Sequence, residues 1–161
     1  MAEVETPRLV RAQGQIILFR VGKEIYAIDI RKVERIADLQ PITRVPRAPG
    51  FVRGIMNLAG SIITMIDVDK VLGLEDESQI DQVILLEHAG MNLGLVTGQT
   101  TDVLSVDEEF LSGDTMLRDE NKGEIFVSSV FTEGDRIINL LDVDKLVHYV
   151  ETSFNVMSYE L

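Results

Sequence analysis

Alternating apolar and polar positions run through most of the chain and predict a mainly β protein. Residues 15–21 and 24–28 read as strands on either side of Gly22-Lys23, which indicates a β-hairpin because glycine tolerates the positive φ of a tight turn. A second hairpin is predicted over residues 54–66, where two alternating runs flank Ala59-Gly60.

The rest of the chain predicts further strands and a few short helices. Between these segments lie an acidic connector, an Ala89-Gly90 turn and a polar loop over residues 112–123. The predicted strands cover residues 82–87, 93–96, 101–106, 124–131 and 136–141, and the predicted helical segments cover 67–72, 107–110 and 142–151.

The hydrophobic period changes after Asp29. Ile30, Val33, Ile36 and Ala37 would share one face of a helix, with charged residues on the other face. The pattern therefore predicts a short amphipathic helix with Asp29 as its N-cap. Its apolar face suits core packing better than partner binding, whereas its polar face could serve either role.

An internal repeat is the strongest sign of how the chain is organised. Residues 62–72 recur as residues 137–147, 75 positions later, and residues 15–19 recur more faintly as residues 82–86, 67 positions later. Each copy reads as two hairpins followed by a short helix. We interpret the repeat as two similar β lobes around a shared interface. Lobes of about five short strands usually close into small barrels.

Composition limits the classes of protein to consider. The chain has 161 residues, 45% of them hydrophobic, so one domain or one domain of two lobes with a packed core is expected. The absence of cysteine excludes disulfides, thiolate zinc sites and iron–sulfur clusters. No apolar run approaches the ~18 residues of a membrane span. We expect a cytoplasmic protein without direct membrane insertion.

Charge is unevenly distributed along the chain. The net charge of −12 argues against nucleic acid as a partner. Residues 1–53 nevertheless carry ten basic against six acidic residues, whereas residues 54–161 carry five against twenty-one. This asymmetry suits a molecule that presents different faces to different partners, although solubility alone would also account for it.

Catalytic groups are scarce. His88 and His148 are too few for a multi-histidine metal site and are expected to be ordinary surface or packed residues. The pairs Asp67/Asp69 and Asp142/Asp144 could be paired carboxylates or a metal site, but helix N-capping explains their place at strand-to-helix junctions better. No enzyme activity, metal or cofactor is predicted.

Surface recognition remains as the expected activity. The candidate surfaces are the turn at residues 57–60, the outward face of the first helix and the group Arg44, Arg47 and Arg53. For the arginines, a solvated loop is the simpler alternative.

Several stretches, in this order, resemble the chemotaxis coupling proteins, the CheW family. The resemblance covers residues 15–150, nearly the whole chain. It rests on Gln15-Ile-Ile-Leu-Phe19, Tyr26-Ala-Ile-Asp-Ile30, Lys32-Val33, Ile42-Thr-Arg-Val45, Pro49-Gly-Phe-Val-Arg-Gly54-Ile-Met-Asn-Leu58, Gly60-Ser-Ile-Ile63 and Ile66-Asp67.

The resemblance implies a fold of two small five-stranded SH3-like β-barrel lobes with short helices. It also implies a non-enzymatic adaptor between the regulatory domain of the histidine kinase CheA and the cytoplasmic tips of methyl-accepting chemoreceptors. A scaffold for a kinase pathway outside chemotaxis is the alternative, and a small-molecule-binding or enzymatic β protein is a third. The domain would span residues 15–151, between a flexible segment 1–14 and a tail 152–161.

Carrying family positions over implies a receptor groove between the lobes. Two positions depart from the family pattern: Ala59 stands where the loop usually reads Asn-Leu-Arg-Gly, and Arg35 stands where an acidic residue is common. Both departures predict a weakened or different partner contact. The predicted protein-binding residues are Val33, Arg35, Ile36, Asn57, Leu58, Ala59 and Gly60.

Overall fold

The computed structural model describes residues 13–74, 80–87, 91–111 and 124–159. Within them the chain is mainly β, which confirms the predicted class. His88, the Ala89-Gly90 turn and the polar loop lie outside the described residues. The strands are β1 Gln13–Val21, β2 Glu24–Asp29, β3 Val33–Asp38, β4 Val52–Leu58, β5 Ser61–Asp67, β6 Gln82–Leu86, β7 Leu93–Thr97, β8 Thr100–Asp107, β9 Val127–Glu133 and β10 Arg136–Leu141. The helices are α1 Val68–Val71, α2 Glu108–Leu111 and α3 Val143–Tyr159, and two 3-10 turns cover Ile30–Lys32 and Glu124–Phe126.

The strands form two five-stranded sheets that have the same order. The first lobe is ordered β8-β1-β2-β10-β9 and the second lobe β3-β6-β7-β5-β4. Each strand of the first lobe corresponds to the strand at the same place in the second lobe, and the numbers of the two strands differ by five: β1 corresponds to β6, β2 to β7, and so on. Each lobe thus combines the first hairpin of one repeat copy with three strands of the other copy. The two copies exchange strands instead of closing one lobe each.

The equivalence of the lobes extends to strand register. β10 pairs in parallel with β2, with Leu140 opposite Ala27, and β5 pairs in parallel with β7, with Met65 opposite Gly94. Met65 and Leu140 are separated by the 75-residue offset, and Ala27 and Gly94 by the 67-residue offset. The sequence repeat therefore reports a structural equivalence of the two lobes.

Among the described residues, three apolar clusters make up the core, one inside each lobe and one between them. Alternate residues of β1 serve two of these clusters: Ile16 and Leu18 point into the first lobe, whereas Ile17 and Phe19 join the inter-lobe cluster. Because both faces of this strand are buried, its central residues 16–19 form a continuous apolar run. The inter-lobe cluster also receives α1 and α3 through side chains that include Val68, Leu146, Val147 and Val150.

The helix predicted over residues 29–37 is wrong beyond its first turn. Asp29 does cap a 3-10 turn, but residues from Val33 onward form β3 against β6. The register shifts between Val33 and Arg35, so a bulge adds one residue there. Val33 and Ile36 consequently face the same side of the sheet although three positions separate them. That spacing imitates a helical period in the sequence.

The C-terminal helix is longer than predicted. Asp142 caps it, since the backbone N–H of Lys145 donates to Oδ1 of Asp142 at 3.1 Å. The helix then runs to Tyr159, eight residues beyond its predicted end at residue 151. Phe154 follows buried Val150 by one turn and packs against the inter-lobe cluster, which continues the apolar face past the predicted end.

Gly94→Ala is expected to lower the free energy of unfolding by about 1–3 kcal/mol, because overpacking strains a filled core. A Cβ at Gly94 would lie 2.6 Å from Cγ1 of Val83 and 3.1 Å from Cγ2 of Ile63. Urea denaturation measures the change. Gly50→Ala is the control, since nothing lies within 4 Å of its Cβ position. Equal stability of the two variants would contradict the packing argument.

Candidate functional site

Polar contacts fix the start of β3, which carries three of the predicted site residues. The carboxylate of Asp29 accepts a hydrogen bond from the backbone N–H of Arg31 at 2.9 Å. Arg31 also pairs with Glu108 at 3.2 Å, and Lys32 pairs with Asp144 at 3.2 Å. Hydrogen bonding to Asp29, reinforced by the charges of Asp29 and Glu108, raises the pKa of Arg31. These contacts tie the turn before β3 to α2 and α3.

The bulge in β3 determines which of these residues act together. Val33 lies opposite Leu86 and Ile36 opposite Ile84, and both partners belong to the inter-lobe cluster. Val33 is partly buried against that cluster, whereas the Ile36 side chain remains 36% exposed. Arg35 is exposed, and it pairs with a residue of the opposite face. Val33 and Ile36 thus form one apolar surface that does not include Arg35.

The turn at residues 57–60 forms the second part of the predicted site. The backbone N–H of Gly60 donates to Oδ1 of Asn57 at 3.2 Å, and both Ala59 and Gly60 have positive φ, at 50° and 87°. Leu58 packs against the interior cluster of the second lobe, and Ala59 is exposed. This turn joins β4 to β5, so it lies at the opposite end of the strand order from β3. The hydrogen-bonded sheet does not bring the two groups together.

Four exposed apolar residues reveal equivalent surfaces on the two lobes. Ile36 corresponds through the 67-residue offset to Val103, which is 50% exposed and lies opposite Ile17. Ile62 and Ile137, separated by the 75-residue offset, are 52% and 60% exposed. The sequence pattern does not single out Val103, although the 67-residue offset links it to Ile36, a predicted site residue. Nor does the pattern identify Ile62 or Ile137 as exposed.

The predicted arginine group lines an open groove of about 670 Å³ beside β4. Asp67, at the end of β5, is buried. Its Oδ1 lies 2.7 Å from Nε of Arg53, and its Oδ2 lies 3.5 Å from Nζ of Lys70. Its side chain makes no capping hydrogen bond to α1, so the predicted capping role is wrong for Asp67. We call the open groove beside β4 the basic groove. Its lining consists of Ile42, Arg44, Val45, Pro46, Arg47, Ala48, Pro49, Gly50, Val52, Arg53, Asp67 and Lys70.

In the part of the chain that the structure describes, no three histidine, aspartate or glutamate side chains cluster as metal ligands. Within the same residues, every helix is too short or too polar to cross a bilayer.

Comparison with known proteins gives consistent matches across both lobes. Residues 15–151 match the family model of the CheW-like domain. The chemotaxis protein CheW of Thermotoga maritima is 28% identical over 137 residues, which cover 84% of this chain and 89% of that protein. CheW of Klebsiella aerogenes is 29% identical over 137 residues, which cover 83% of this chain and 81% of that protein. The crystal structure of the scaffolding protein TtCheW from Thermoanaerobacter tengcongensis superposes with a TM-score of 0.71 at 27% identity, covering 81% of this chain and 84% of that chain.

Proposed function

Since the chain belongs to the CheW-like family, we propose that it is a non-enzymatic adaptor that couples chemoreceptor cytoplasmic tips to a CheA-type histidine kinase. The observation that carries this proposal is the family match, which spans both lobes. An adaptor needs at least two separate surfaces on one rigid body. The equivalent exposed apolar residues of the two lobes, joined by a shared core, suit that requirement. The protein would act in the cytoplasm, where receptor tips and kinase meet.

The receptor surface in this proposal includes the apolar pair Val33 and Ile36. Both lie on the face of the second sheet that turns toward the inter-lobe cluster, where a helical receptor tip could bury apolar side chains. The turn from Asn57 to Gly60 would make an additional contact. Ile62 and Ile137, which protrude from equivalent strands of the two lobes, are candidates for the kinase contacts.

Calorimetry with the cognate kinase regulatory domain and receptor tip tests the proposal. We expect dissociation constants on the order of 1–10 µM, equivalent to about 7–8 kcal/mol of binding free energy. Ile36→Asp should weaken receptor binding at least tenfold, whereas Ile125→Asp, at a site 65% exposed on a different element, should leave it unchanged. Absence of heat at about 100 µM with both partners would contradict the adaptor role.

The departures at Ala59 and Arg35 favour a second candidate, a scaffold for a kinase outside chemotaxis. Deletion of the gene separates the two functions. Loss of taxis supports the receptor adaptor, whereas normal taxis with altered signalling through another kinase supports the alternative scaffold.

Ala59→Arg is expected to tighten binding to standard receptor tips by about thirtyfold, because a well-placed interface arginine contributes about 2 kcal/mol. Ala59 is exposed in a tight turn with a φ of 50°, so any longer side chain there meets the same backbone constraint. Ala59→Gln is therefore the matched control, and calorimetry measures both variants. If arginine and glutamine give the same affinity, this turn does not determine receptor binding.

A further inference from the structure

The basic groove concentrates positive charge on an acidic protein. Its lining contains four cationic side chains, Arg44, Arg47, Arg53 and Lys70, and one carboxylate, Asp67. The whole chain, in contrast, has a net charge of −12. We propose that the basic groove binds an acidic segment of a protein partner.

Asp67 organises half of the groove from within. It is buried, and it holds Arg53 at 2.7 Å and Lys70 at 3.5 Å from its two carboxylate oxygens. Both cations remain partly exposed on the groove side, with 39% and 58% of their side chains accessible. A buried anchor reduces the side-chain entropy that a ligand would otherwise have to restrict on binding. Arg53 and Lys70 are therefore pre-positioned to receive a carboxylate.

The other half of the groove presents arginines that are not neutralised. Within the described residues, neither Arg44 nor Arg47 forms an ion pair or a side-chain hydrogen bond. A guanidinium offers a planar fork of donors that matches a carboxylate at two points. Arg44 and Arg47 can thus bind acidic side chains without first giving up an internal partner.

The loop that carries Arg44 and Arg47 is fixed to the sheet at both ends. Thr43 and Ile55 exchange two backbone hydrogen bonds of 2.8 Å, and the N–H of Val52 donates to the carbonyl of Pro49 at 2.9 Å. Arg47, directly after Pro46, has a φ of 63°, a conformation that arginine rarely adopts. The backbone thus holds Arg47 in an unfavourable conformation at the groove, a feature that is common at binding sites.

A short peptide fits this groove better than a membrane or a nucleic acid. Charges are screened beyond about 8 Å at physiological ionic strength, so a short segment responds to the groove and little to the remaining acidic surface. An extended polyanion would also face that acidic surface. Ile42 and Val45 line the groove together with the cations, and Val45 is 38% exposed. The lining therefore suits a segment in which acidic residues alternate with small apolar ones.

Fluorescence anisotropy with the full chain tests the proposal. The probe is a labelled 12-residue peptide in which glutamate alternates with alanine or valine. We expect saturable binding, with an affinity that falls as salt is added. A peptide with glutamine in place of each glutamate should bind at least tenfold more weakly.

Charge-matched variants locate the binding. Arg44→Gln combined with Arg47→Gln should weaken the glutamate probe at least tenfold. Arg20→Gln combined with Lys23→Gln removes the same charge from exposed positions on the first hairpin and should leave the affinity unchanged. The proposal is overturned if the probe does not bind, if both double variants behave alike, or if anionic vesicles or a single-stranded 12-mer DNA compete more strongly than the glutamate peptide. Neither kinase nor receptor enters this assay, so its failure leaves the adaptor proposal intact.

Discussion

Gly54→Ala should lower the free energy of unfolding by roughly 3–5 kcal/mol, because it combines a backbone clash with an unfavourable φ. A Cβ at Gly54 would lie 2.4 Å from the carbonyl oxygen of Thr43 and 2.5 Å from Cγ2 of Ile42. The φ of Gly54 is 151°, which side-chain-bearing residues rarely adopt. The clash cannot be relieved by a side-chain rotation, since one of the two atoms belongs to the backbone.

The strain should also disturb the basic groove. Relief of the clash requires Thr43 to move away from β4, which breaks its two 2.8 Å hydrogen bonds with Ile55. Arg44 follows directly in the chain, so the loop would lose its fixed position. Urea denaturation followed by circular dichroism gives the stability change, and the glutamate probe reports on the groove. Gly50→Ala, in the same loop but with free space around its Cβ position, is the control. A loss below about 1 kcal/mol would show that the loop shifts without strain.

Local pattern predicted the strands of this protein except β3, but it did not predict how they associate. The Gly22 and Ala59-Gly60 turns identified their hairpins because positive φ restricts the residue types at such turns. The repeat correctly indicated two like lobes. It could not show that the copies exchange strands, since either arrangement buries the same alternating faces. Pairing between strands distant in sequence depends on the tertiary context.

The errors at β3 and Asp67 have specific physical causes. A bulge after Val33 gave a strand the apolar spacing of a helix, and the sequence carries no separate signal for the bulge. Asp67 and Asp142 occupy equivalent repeat positions, yet only Asp142 caps its helix. The difference arises because Arg53 faces Asp67 across the β4–β5 hairpin. A long-range partner thus redirected a side chain whose local sequence predicted capping.

The predicted binding residues illustrate the same limit at the surface. Sequence order placed Val33 and Ile36 together, and the structure gives them a common face through the bulge. The sequence order could not show that the turn carrying Ala59 lies at the opposite end of the sheet from β3. Val103 was missed because an exposed valine in a β strand is unremarkable until its equivalence to Ile36 is noticed.

Phe19→Ala is expected to cost roughly 3–5 kcal/mol of unfolding free energy, the range for a large aromatic residue removed from a packed core. Phe19 is fully buried in the inter-lobe cluster, and its ring stacks on Tyr26 at a centroid distance of 6.4 Å. Its equivalent residue in the other copy, Leu86, lies in the same cluster. The substitution therefore removes packing that both lobes share.

The form of the unfolding curve tests the strand exchange directly. Each lobe contains strands from both copies, so neither lobe can unfold while the other stays intact, and one transition is expected. Phe19→Ala should shift that whole transition, as should Leu18→Ala inside the first lobe and Met56→Ala inside the second. Val103→Ala, at an exposed site, should change stability by less than about 0.5 kcal/mol. Circular dichroism and tyrosine fluorescence should trace coincident curves. Two separated transitions, with Leu18→Ala and Met56→Ala moving different ones, would mean that the lobes are independent despite their exchanged strands.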